Sequence, residues 1–251
     1  MVDYYKQIFK RKSFHFFKDR LDLKDDELNK LNNFIKNIKP LDKDIKTLIK
    51  IVKEEETSCK RGGEYCLLFY SEKSGNYLRN IGYIGEQIDL ILTKNNIGTL
   101  WCGLGKTKNT SYEGLNYVIM MCISKVDESL FRNDISSFKR KKLDKIWSGD
   151  LLPISNDILI APSSCNSQPW FIENINNELL VYRNKESAKF GIIPLKVMHY
   201  YNQIDMGICL YFIEICLVHH NYTFNRLLIK NDNNSKQSKI LIAKYTYIKN
   251  L

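Results

Sequence analysis

Two stretches far apart in the chain hold the residue types best suited to chemistry. Arg11-Lys12-Ser13-Phe14-His15-Phe16 gathers a guanidinium, an ammonium, a hydroxyl and an imidazole. Taken alone, Arg11 and Lys12 read as solvated surface charges; an arginine able to fork onto phosphate oxygens, beside a lysine, a histidine and a hydroxyl, could instead cage a phosphate. Ala161-Pro162-Ser163-Ser164-Cys165-Asn166-Ser167-Gln168-Pro169-Trp170 sets short polar groups between two prolines. Each proline biases the residue before it, Ala161 or Gln168, out of the helical region, so the serines and amides stand on a stiff frame and can be aimed into one cleft. Other segments fit less well. Leu100 to Thr107 approaches the phosphate loop G-x-x-x-x-G-K-T, but Leu100 replaces its first glycine and a helix is expected before it instead of a strand. Both departures argue against nucleoside triphosphate binding. Cys165 has no histidine paired with it in sequence, and no catalytic dyad stands out.

The Ala161 to Trp170 stretch resembles the A-P-S-x-x-N-x-Q-P-W run of the nitroreductase family, the FMN-dependent NAD(P)H oxidoreductases. Arg11 to Phe16 is similar to that family's R-R-S-x-R-x-F signature. Asn96 to Gly105 resembles its helix C-terminus and the loop that follows. The resemblance implies that Arg11, Lys12, Ser13 and His15 hold the flavin phosphate, with Arg140 and either Lys139 or Lys142 as a distant basic pair. His15 stands where the family usually has Arg or Lys. Ser163, Ser164 and Asn166 would contact the ribityl chain and pyrimidine edge, with Pro162 and Cys165 as wall residues and Gln168 and Trp170 as braces. Trp101 and Leu104 would pack on the ring while the backbone N–H of Cys102 or Gly103 faces flavin N5. The alternative for Trp101 is a core aromatic after a helix cap. Lys60 or Arg61 would sit near flavin N1, with a solvated loop charge as the alternative.

Bulk properties narrow the class. The chain has 251 residues, 44% hydrophobic and 12% aromatic, as a globular protein requires. Its net charge of +10 comes mainly from lysine, and no arginine-rich stripe with interleaved aromatics suggests a specific nucleic-acid partner. Seven cysteines, an odd number with no C-x-x-C pair, argue against a zinc site or a disulfide framework, so no metal ligands are assigned and a reducing cytoplasm is expected. The N-terminus, Met1 to Lys6, lacks an apolar signal core. The longest apolar stretch, Met206 to Val218, is short for a bilayer and carries Glu214, so no membrane partner is expected.

The elements that must position these motifs follow from periodicity. Leu28, Leu31, Phe34, Ile35 and Ile38 predict a helix behind the acidic turn Asp25-Asp26-Glu27, ended by Pro40. Leu41 to Lys53 reads as another helix and Tyr65 to Tyr70 as a buried strand. Ile84, Ile88, Ile91 and Leu92 mark a helix stopping near Asn96 and Gly98, before a strand at Tyr117 to Ser124. A similar order then returns: strand at Leu179 to Tyr182, helix at Ile204 to His219, strand at Ile240 to Tyr245. The expected fold is α+β, a central, mostly antiparallel sheet flanked by helices, in two pseudo-symmetric halves, 1–150 and 151–251. Because the phosphate-type motif lies in one half and the A-P-S-x-x-N motif in the other, the chain resembles the subgroup that fuses two nitroreductase-like halves into an internal pseudo-dimer. That implies one composite FMN site, a monomer or weak homodimer, and NAD(P)H passing hydride through flavin N5 to a small-molecule acceptor, a nitro compound or quinone, by a ping-pong mechanism. The alternative is a non-catalytic flavin-binding or flavin-less sensor of redox state or ligand.

Overall fold

The computed structural model describes residues 4–136, 138–189, 194–229 and 237–250. The chain divides into two compact units, residues 6–136 and residues 1–5 with 137–251. Helix α1 (Tyr5–Lys10) leads into the first unit, which continues with β1 (Arg20–Leu21), α2 (Asp25–Lys36), β2 (Thr47–Lys53), β3 (Tyr65–Ser71), α3 (Tyr77–Lys94), β4 (Ile97–Cys102), β5 (Ser111–Tyr112) and β6 (Leu115–Val126). Its main sheet runs β4-β6-β3-β2, antiparallel throughout, with short β1 and β5 also on β6. Alternation along β3 and β6 sends side chains to two covered faces. On one face the Trp101 indole stacks on Phe69, their centroids 5.7 Å apart, and lies against α3 at Gly85. A Cβ at Gly85 would come within 2.2 Å of that ring, so only glycine admits it. On the other face Cys66, Leu68, Tyr70, Leu100, Met120 and Cys122 cluster with Phe14 and Phe17.

The second unit contains β7 (Trp147–Gly149), α4 (Ile154–Asp157), β8 (Trp170–Ile175), β9 (Glu178–Asn184), α5 (Leu195–His219), β10 (Tyr222–Leu228) and β11 (Lys239–Lys249). Its sheet runs β10-β11-β9-β8-β7, with only the β7-β8 pair parallel. Each unit therefore places a long buried helix before an antiparallel strand pair: α3 before β4 and β6, α5 before β10 and β11. The path β4-β6-β3-β2 matches β10-β11-β9-β8 strand for strand. The architecture is the expected α+β one.

Helix α5 is longer than the predicted Ile204 to His219. By length and composition it could cross a membrane, but 94% of its most apolar stretch is buried inside the protein. α5 carries two buried acids, Asp205 and Glu214; Glu214 accepts hydrogen bonds from Arg226 on β10 and from the Tyr245 hydroxyl on β11, the latter at 2.8 Å.

Two expected elements differ. Leu41 to Lys53 is not a helix. The backbone N–H groups of Leu41 and Asp42 donate to Asn80 Oδ1 at 2.8 and 3.1 Å, which pins a turn. The β-branched Thr47, Ile49, Ile51 and Val52 then form β2 in register with β3. Nor does a loop follow α3: Asn96, in the left-handed region at φ 57°, reverses the chain directly into β4. Cys102 and Trp101 are thus strand residues opposite Met120 and Met121, and the Leu100 to Thr107 segment begins on a strand. It leads onward to β5 rather than to a helix, so the nucleotide loop still lacks the element it needs.

Candidate functional site

The Arg11 motif is built on β4. Ser13 bridges Thr99, and Phe14 N–H donates to the Thr99 carbonyl at 2.9 Å. Phe14 also covers Gly98, where a Cβ would come within 2.8 Å of its ring. This lays Arg11 over α3. Arg11 is only 3% exposed; its Nε donates to Asp89 Oδ2 at 2.7 Å and lies 3.9 Å from Glu86 Oε1. Its Nη2 reaches Ser13 Oγ at 3.1 Å, and Thr99 Oγ1 donates to the other Asp89 oxygen at 2.6 Å. Burial alone would lower the Arg11 pKa, but the acids beside it, Asp89 before Glu86, outweigh burial and the value is raised, so the guanidinium stays charged. Glu86 is pushed well above the usual carboxyl range by burial and by Asp89, with Arg11 opposing. Neither Glu86 oxygen has a hydrogen-bond partner among the described residues, as suits a neutral acid.

In this geometry Arg11 is turned inward. Its Nε and Nη2 are committed inside the unit, and Asp89 neutralises its charge. Two further cations lie beside it. Lys12 Nζ donates to the Leu130 carbonyl at 3.0 Å, and Arg132, which sequence reasoning missed, donates to the Arg11 carbonyl at 3.2 Å. Burial, then the proximity of Arg11, lowers the Arg132 pKa. Cationic side chains and a hydroxyl, the donor types a phosphate takes, are thus gathered around Arg11. His15 and Lys60 are exposed, and so is Arg61, whose guanidinium covers the Phe16 ring at 5.0 Å. Trp101 is the packed aromatic described above, Cys102 and Gly103 are half-buried, and Leu104 is exposed.

In the second unit the Pro162 to Trp170 loop is fixed from two sides. The Ser164 N–H and hydroxyl both donate to Asp205 Oδ1 on α5, at 2.9 and 3.0 Å, and Asn202 Nδ2 donates to Asp205 Oδ2 at 2.9 Å. Ser163 Oγ accepts from the Gln168 N–H at 2.9 Å. Arg140 donates to Asn166 Oδ1 and to the Ile160 carbonyl, so it braces this loop within its own unit. Cys165, Asn166 and Gln168 take positive φ, which winds the loop tightly and leaves Cys165 and Asn166 exposed. Pro162 is buried, and Lys142 is exposed at the start of a short helical turn. Gln168 is the predicted brace: its carbonyl oxygen accepts from the Lys141 N–H at 2.7 Å and its amide donates to the Leu159 carbonyl at 3.1 Å. Burial raises the Asp205 pKa to about 6 against the opposing pull of its three hydrogen bonds.

Compared with known families, residues 3–217 match the model described as "Putative TM nitroreductase". The chain belongs to that family. Among solved structures, a Thermotoga maritima MSB8 protein described as "a putative nitroreductase" is 18% identical, with a TM-score of 0.60 over 98% of this chain and 94% of that one. At that identity the likeness shows the nitroreductase fold. Nitroreductase-family proteins from Clostridium novyi NT and Clostridium difficile 630 align at 18% and 12% identity over 53% and 61% of this chain, with TM-scores of 0.39 and 0.42. They span 89% and 99% of those chains. No curated protein matches the sequence.

In this nitroreductase-family chain the residues that organise the motifs, Glu86, Asp89, Asn202 and Asp205, were visible only as polar positions in otherwise apolar helices. Two outcomes test their roles. Arg11→Met would strand the Asp89 charge and should cost about 3–5 kcal/mol in urea unfolding at neutral pH. Glu86→Gln, an imitation of the protonated acid, should cost much less; equal losses would contradict a neutral Glu86. Asp205 binds its proton more tightly in the folded state, so its contribution to stability is present below the unfolded value near 4 and is lost as pH rises through about 6. The unfolding free-energy difference between wild type and Asp205→Asn should therefore shift by up to about 3 kcal/mol between those pH values. A constant difference would contradict it.

Proposed function

We propose that this chain is an FMN-dependent NAD(P)H oxidoreductase. The family match over residues 3–217 is the observation that carries this reading. When bound, FMN supplies a ring that takes hydride from NAD(P)H and, in a ping-pong cycle, reduces a nitro compound or quinone. The chain's own residues bind and orient. Lys12 and Arg132 present cationic groups for the phosphate, while Arg11 acts chiefly as the buried post that positions Ser13. Ser163, Ser164 and Asn166, stiffened by Asp205 and Arg140, present polar groups for the ribityl chain and pyrimidine edge. Trp101, wedged between Phe69 and Gly85, fixes the strand end from which Cys102, Gly103 and Leu104 follow. The matching strand paths support a fused pair of nitroreductase-like halves acting as one chain. Seven free thiols suit a reducing cytoplasm.

A second reading, a flavin-binding sensor without turnover, is favoured by one feature. Asp89 neutralises Arg11 and His15 replaces a stronger base, so the phosphate cage carries less charge than the motif suggests. Anaerobic visible spectra separate the two. Flavin bands that bleach with NADPH or NADH and return with a nitroaromatic or quinone support the oxidoreductase. Bound flavin that never bleaches supports the sensor, and a protein that takes up no FMN contradicts both. Arg132→Gln should weaken FMN binding about tenfold, about 1.4 kcal/mol, without changing the unfolding midpoint by a comparable amount.

A further inference from the structure

Four of the seven cysteines meet on one face of the first unit's sheet. Cys66 on β3 and Cys122 on β6 are directly opposite cross-strand partners. Cys102, at the end of β4, is opposite Met120, two residues before Cys122 on the same strand. Side chains two apart on a strand share a face, so the three thiols point the same way. The fourth comes from outside the sheet: Cys59 arrives from the connection between β2 and β3. The sulfurs of Cys59, Cys66 and Cys122 all lie within 4.8 Å of one another, and Cys59 Sγ is 3.3 Å from Cys102 Sγ. Cys59, Cys66 and Cys122 are buried, and Cys102 is half-buried at the rim.

We propose that Cys59, Cys66, Cys102 and Cys122 form a tetrahedral thiolate site for zinc. A zinc ion with four sulfurs at about 2.3 Å requires sulfur separations of about 3.8 Å. Cys59, Cys66 and Cys122 already lie within 4.8 Å of one another, and Cys102, 3.3 Å from Cys59, would have to rotate its side chain to complete the site. A sulfur set selects a thiophilic ion over calcium or magnesium, and four protein ligands close the coordination sphere as in structural sites. Each thiol gives up its proton on binding.

The surroundings keep the cluster open and oriented. A Cβ on Gly63 would fall 2.2 Å from Cys122 Sγ, so glycine there leaves the sulfur its space. Thr57 Oγ1 accepts from the Cys59 N–H at 3.1 Å and lies 3.7 Å from Cys66 Sγ. Glu54 Oε1 accepts from the N–H groups of Arg61 and Gly63, at 2.8 and 3.2 Å, and holds that loop beside Cys122. The zinc would tie the β2-β3 connection to three strands. The thiols point to the face opposite Trp101, and the flavin reading uses the backbone of Cys102, not its sulfur.

Zinc content of the full chain, purified without chelator, and cobalt titration of the stripped, reduced protein under argon test the site. The expected results are about one metal per chain and the intense visible and sulfur-to-cobalt charge-transfer bands of tetrahedral thiolate coordination. Cys59→Ser, in a connection outside the sheet, should abolish those bands, and Cys165→Ser should retain them. Circular dichroism reports whether each variant has folded. Weak octahedral cobalt absorption, zinc well below one per chain, or a Cys59–Cys102 disulfide in the non-reducing peptide map would overturn the proposal. The wild-type titration decides even if a variant fails to fold.

Discussion

The buried ion pair between Arg11 and Asp89 is the constraint from which the first unit's motif follows. A guanidinium at 3% exposure cannot persist without an opposing charge. Asp89 supplies it, Thr99 holds the second Asp89 oxygen, and Ser13 takes the next guanidinium nitrogen. One charged pair thereby registers the residues after α1 against both α3 and β4. Glu86, one helical turn away on the same face, is relieved of the like-charge conflict by staying protonated. Lys12 and Arg132 are the further cations beside Arg11, donating to the Leu130 and Arg11 carbonyls.

The second unit solves a similar problem with a similar device. Asp205 lies on α5, the helix whose place in the topology matches that of α3, and it grips the polar loop through Ser164 and Asn202. In each unit, then, a carboxylate on the buried helix anchors a motif that would otherwise be a solvated segment. The chemistry differs: Asp89 is matched by a full positive charge, whereas Asp205 has only neutral donors. That difference is why burial raises Asp205 to about 6, so its contribution to stability is present in mild acid and lost toward neutral pH.

Much of this was legible in residue order. The Pro-Ser-Asn-Gln-Pro-Trp run, the acidic start of α2 and the apolar runs of β3 and β6 each carry a local signal, and the family and fold follow from them. What stayed hidden depends on contacts distant in sequence. Leu41 to Lys53 has helix-compatible spacing, yet Asn80 captures its first N–H groups and β3 claims its β-branched residues. Asn96 to Gly105 has helix-stop chemistry, but the cap feeds a strand because β6 offers an unfilled edge. Arg11 reads as a surface cation until α3 delivers Asp89. Cysteine spacing likewise carries no metal signature when the thiols arrive from separate strands and a connection.

The measurement that bears most directly on the cofactor is a comparison of FMN and riboflavin binding by flavin fluorescence, since the two differ only in the phosphate. With Lys12 and Arg132 beside the Arg11 post, FMN should bind at least about tenfold more tightly at low salt, about 1.4 kcal/mol. Because the charges are partly exposed, the gap should narrow as salt rises. Equal affinities, unchanged by salt, would contradict a phosphate site at this motif.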